Sequence, residues 1–72
     1  MQLSKEQIIK DIMSIRRRID VAKGAGIREI DIFEEQVAKS TTRIEQVRYL
    51  AKKYNQVELV EIHKAYEELR SK

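Results

Sequence analysis

Apolar residues along this chain recur at intervals of three and four. Ile8, Ile12, Ile15, Ile19 and Ala22 form one such run; Ile30, Phe33, Val37, Thr41, Ile44, Val47, Ala51 and Tyr54 a second; Leu59, Ile62, Tyr66 and Leu69 a third. That spacing puts each run on one stripe of a helix. Between the runs lie start signals. Ser4-x-x-Gln7, Asp31-x-x-Glu34 and Asn55-x-x-Glu58 fit the capping-box pattern, in which a short polar side chain and a Glu or Gln three residues on satisfy orphan amides. Gly24 and Gly26 in "KGAG" suit the left-handed conformation just past a helix end. The pattern predicts helices at about 5–23, 28–53 and 56–70. The second start is ambiguous between Arg28 and Asp31.

Short connections make consecutive helices antiparallel, so the expected fold is all-α, an up-down-up three-helix bundle with heptad-like stripes in a single domain, 1–72. At 1.5 Å per residue the middle helix spans about 39 Å. Within it "AKSTTR" places Ala38, Ser40, Thr41 and Thr42 where a core normally carries bulk. Tyr66 is expected to pack over these small residues and bond Ser40 or Thr41, because a buried tyrosine hydroxyl needs a partner. Ile9 and Met13 widen the apolar face of the first helix, either for the third helix or for another copy of the chain.

Length sharpens that last point. Seventy-two residues are near the lower limit for a self-sufficient core, and the chain has no Cys and one His, so disulfide and zinc staples are absent. A dimer is therefore expected as an option. No run approaches bilayer length, and charges in "MQLSKEQIIKDIMS" interrupt any signal-peptide core, which predicts a cytoplasmic protein without a membrane partner.

The charge of +3 is modest but segregated. Lys39, Arg43, Arg48, Lys52 and Lys53 face only Glu45, whereas "REIDIFEE" and the last helix are acidic in balance. Arg16, Arg17 and Arg18 are consecutive and fan across about 200° of a helix, too wide for one phosphate. Their ordinary role is to cover core edges with wet head groups; the functional alternative is a polyanion contact at Arg16, Arg17, Arg18, Arg43 and Lys52. A helix-turn-helix fails because its recognition helix would open with Glu58 and Glu61 against phosphate. Three tyrosines and one phenylalanine are too few for a single-strand stacking platform.

Catalytic signatures are thin. His63 and Glu67 share metal-ligand spacing without a third ligand, there is no thiol nucleophile, and no Gly-rich phosphate loop appears. "IRRRID" resembles the start of the all-helical chorismate mutases, dimers in which arginines and a lysine bind two carboxylates, and Arg28-Glu29 resembles a second piece of that pattern. Gly24-Ala25-Gly26 would end the first helix soon after Arg18, where that family carries a longer helix with further ligands, so its active site is not transferred. No cofactor is expected.

The reading is a non-enzymatic helical module, regulatory or adaptor in kind, that binds a protein partner or itself. Its expected contact patch is Tyr49, Lys53, Val57 and Val60. Tyr49 lies opposite the stripe of Val47, Ala51 and Tyr54, Val60 lies off the stripe of Leu59 and Ile62, and an outward tyrosine beside valines with a lysine rim has the composition of an interface anchor. The alternative is a nucleic-acid accessory protein using Arg16–Arg18 and the Lys39–Lys53 segment.

Overall fold

The computed structural model describes residues 3–21 and 26–71. Among them the chain forms four helices and no strand: α1 (Lys5–Arg16), α2 (Arg28–Val37), α3 (Arg43–Lys53) and α4 (Gln56–Arg70). None is long and apolar enough to cross a membrane.

Two of the expected starts are present, Asn55 with its full box and Ser4 with half of one, since the Gln7 side chain donates to Asp11 at 3.1 Å instead of returning to the cap. The Ser4 side chain accepts the Gln7 amide, and at Asn55 the box is complete, with Asn55 Oδ1 accepting from the Glu58 amide at 2.8 Å and Glu58 Oε1 from the Asn55 amide at 2.9 Å. Asp31 is not a cap. Helix α2 starts at Arg28, and Asp31 reaches back from its first turn to accept the Gly26 amide at 3.1 Å. Gly26 has φ +108°, a conformation open to glycine and strained for other residues.

The predicted helix 28–53 is two helices. A rod of about 39 Å exceeds the molecule's greatest extent of 31 Å, and the chain folds at residues 38–42 instead. The reason is in the residues that looked like a thin stretch of core. Ser and Thr hydroxyls compete for backbone hydrogen bonds, and Thr42 Oγ1 accepts the Glu45 amide at 3.2 Å to open α3. The C-terminal end of α2 and the turn after it are then closed by Gln46, whose Nε2 donates to the carbonyls of Val37 and Ser40 at 3.2 and 2.9 Å. Helix α1 is also shorter than predicted, ending at Arg16; Ile19 is half-buried beyond it, and Ala22, Gly24 and Ala25 lie outside the described residues.

Packing pairs elements distant in sequence. Helices α1 and α2 each pack on both α3 and α4, while α1 with α2 and α3 with α4 touch little. Gln56 Nε2 donates to the Leu3 carbonyl at 2.6 Å, and Arg16 and Tyr66 meet a common carboxylate farther along, so α1 and α4 run in the same direction. Lys5 Nζ donates to the Ala51 carbonyl at 3.0 Å, placing a cation at the negative end of α3.

One core joins all four helices. Ile8, Ile9, Ile12, Met13 and Ile15 come from α1, Ile30, Phe33 and Val37 from α2, Val47 and Leu50 from α3, and Leu59, Ile62 and Tyr66 from α4, with Tyr54 at the last turn. Ile9 and Met13 are therefore spent inside the monomer. Phe33 lies at the centre, its ring 5.8 Å from both Tyr54 and Tyr66. Ile44 departs from expectation: it is 68% exposed. It keeps the phase of Val47 but sits in the first turn of α3, lining an open groove with Glu6 and Lys10 of α1.

Candidate functional site

Among the described residues, two open grooves flank α1. The larger, about 440 Å³, runs between α1 and α4 and is lined by Leu3, Ile8 and Asp11 on one side and Gln56, Val57, Val60, Glu61, His63 and Lys64 on the other. Three of its apolar residues are exposed, Leu3 at 52%, Val57 at 72% and Val60 at 38%, over the buried Ile8. A cluster of this kind with a polar rim is the usual composition of a contact surface. The Asn55 capping box starts α4 so that Val57 falls in its first turn. The Gln56–Leu3 bond fixes the backbone of Leu3 beside it.

Of the four residues expected to form a contact patch, the structure brings Val57 and Val60 together in this groove. Tyr49 and Lys53 do not line it. Lys53 is exposed at the end of α3, where with Lys52 it complements the helix dipole. Tyr49 does not point outward. It is half-buried against the core, and its hydroxyl donates to Oε1 of the buried Gln36 at 2.8 Å. The fold at 38–42 causes this, because α3 turns back on α2 and the side opposite the apolar stripe acquires a neighbour.

Leu3 was not among the expected contacts, although the sequence carries a signal for it. An apolar residue just before an N-cap often packs against the fifth residue after it, and Leu3-Ser4 followed by Ile8 has that arrangement.

The arginine cluster divides. Arg16 is withdrawn from any polyanion surface, since Nη2 donates to Glu34 Oε1 at 2.6 Å and Nε to Glu34 Oε2, with Nη1 3.8 Å from Met13 Sδ. The Glu34 hydrogen bond raises the Arg16 pKa further above its ordinary value, so the charge is permanent. Arg17 and Arg18 are exposed in the turn after α1. Arg43 lines the second groove, about 380 Å³ between α1 and α3, with Lys10, Arg48, Glu6, Ile44 and Val47; Lys52 is exposed elsewhere on α3.

Tyr66 is fully buried as expected but bonds neither Ser40 nor Thr41. Its hydroxyl donates to Glu34 Oε2 at 2.6 Å, and burial, then that bond, pushes its pKa well above the ordinary tyrosine value. His63 lies 3.9 Å from Glu67, whose other oxygen pairs with Arg70 at 3.0 Å. Among the described residues no three His, Asp or Glu side chains are grouped to hold a metal ion.

No protein-family model matches the chain, and neither curated proteins nor solved structures give a significant match.

Proposed function

We propose that this chain is a small helical protein-interaction module, adaptor or regulatory in kind, that binds through the groove between α1 and α4. The observation that carries the reading is the exposure of Leu3, Val57 and Val60 side by side in one open groove. A groove between two helices accepts the apolar face of a third, as in helix-in-groove recognition. Peptides selected from a random displayed library are the test. The expected binders carry apolar residues at helical spacing and lose about tenfold or more in affinity for Val57→Asp and Val60→Asp proteins of unchanged helicity. Failure to select any binder from a protein that also stays monomeric, or binders indifferent to both substitutions, would refute the reading.

A nucleic-acid role is the second reading, favoured by Lys10, Arg43 and Arg48 around one groove and by exposed Arg17, Arg18 and Lys52. It loses Arg16 to Glu34, and it must accommodate Glu6 and Ile44 within the same groove. Binding to a mixed DNA and RNA pool that weakens steeply with salt and is lost in Arg43→Glu would support it; no binding at low salt would remove it.

A further inference from the structure

We infer that the occupant of the α1–α4 groove is helix α4 of a second copy of this chain, in a two-fold dimer that pairs α4 with α4; the inference rests on the groove being an interaction site, as proposed above.

The groove-lining residues of α4 include Val57, Val60, Glu61 and Lys64, spaced three, one and three, which places them on a single stripe of the helix. A two-fold interface has to complement itself, because the same patch supplies both sides. This stripe does so. Laid antiparallel about a midpoint between Val60 and Glu61, Val57 faces Lys64 of the second copy, and near the axis the two Val60 side chains meet on one flank while the two Glu61 side chains meet on the other. The aliphatic stem of Lys64 covers the apolar Val57, otherwise 72% exposed, while its ammonium reaches Glu61 of the second copy about one turn, roughly 5.4 Å, along the helix. Each Glu61 carboxylate thus lies between its own Lys64 ammonium and that of the second copy, so the two acids at the axis are bracketed by two bases.

Leu3 continues the apolar floor on the α1 side. A phosphate backbone is the poorer occupant, since Asp11 and Glu61 line the groove. A purely acidic or purely basic peptide would match one of the stripe's two charges and oppose the other. The second copy matches both.

The chain lacks cysteine, so one introduced thiol is a unique probe. Val60→Cys should form a disulfide-linked dimer on mild oxidation, because residues at the axis come within disulfide reach. Ile44→Cys, exposed in the other groove, should remain uncrosslinked. Light scattering of the unmodified chain from about 10 µM to about 1 mM should show the mass rising from 8.5 kDa to twice that value. Val60→Asp should remain monomeric with unchanged helicity. Glu61→Lys and Lys64→Glu should each weaken dimerisation about tenfold, and the combined exchange should restore it. A monomer at every concentration would overturn the inference, and so would a dimer crosslinked through Ile44→Cys and indifferent to Val60→Asp. A monomer that still takes selected peptides in this groove would overturn the dimer while leaving the interaction reading intact; a monomer that takes none would end both.

Discussion

The Tyr66 hydroxyl on α4 donates to the Glu34 carboxylate on α2 at 2.6 Å, and the same carboxylate is held by Arg16 in the last turn of α1. Three helices are tied at one half-buried acid. Removing the hydroxyl in Tyr66→Phe leaves Glu34 still paired, so the expected loss is that of one charge-assisted bond, about 1.5–2 kcal/mol. Glu34→Ala strands both the tyrosine hydroxyl and the guanidinium and should cost more, about 3 kcal/mol. Urea denaturation of the two variants checks the order.

Tyr54 should respond with the opposite sign. Its hydroxyl is buried without a hydrogen-bond partner among the described residues, so Tyr54→Phe discards a desolvated group and keeps the ring beside Phe33. The variant should be as stable as the unmodified chain or about 1 kcal/mol more so. A clear loss in the same urea series would show that the hydroxyl has a partner in solution.

Both tyrosines make the fold sensitive to alkali. Burial raises Tyr66 above its ordinary value, with the Glu34 bond adding to it, and burial likewise raises Tyr54, with the Glu58 charge second. Below the unfolded value of 10.0 both are protonated in either state and their contribution is complete. Above it the unfolded chain sheds protons that the native chain retains, so stability falls as pH rises. Arg16 keeps its charge through this window, being raised itself. Denaturation midpoints between about pH 8 and about pH 11 should decline, and the Tyr54→Phe, Tyr66→Phe double variant should decline less.

The break between α2 and α3 changes what substitutions at Ile44 and Thr42 cost relative to a core position such as Ile12. Ile12→Ala empties a fully buried site and should cost about 2–4 kcal/mol. Ile44→Ala, at an exposed position, should stay within about 0.5 kcal/mol. Thr42→Ala, which removes the α3 cap, should cost about 1 kcal/mol. Thermal melts by circular dichroism distinguish this order from that of one long helix, in which Ile44 would rank with Ile12.

What the sequence by itself determined was what a few neighbouring residues can settle among themselves. A hydroxyl or amide oxygen reaches an amide three residues on, so the starts at Ser4 and Asn55 were legible, as were the stripes that bury Ile8, Ile12, Leu59 and Ile62. Thr42-x-x-Glu45 is an equally local signal, but the apolar spacing runs straight through it, and spacing carries no mark of a helix that stops and restarts in nearly the same phase. Val60 was legible as exposed for the same local reason, its angle on α4. Tyr66 was legible as buried and in need of a partner; that the partner is Glu34, 32 residues away, was not. Nor was the Tyr49–Gln36 bond, nor Leu3 beside Val57, because each depends on how helices dock after the chain folds at 38–42. Docking is decided by burying the most apolar surface of all four helices at once, and a side chain's partner across that core belongs to the whole arrangement rather than to its own segment.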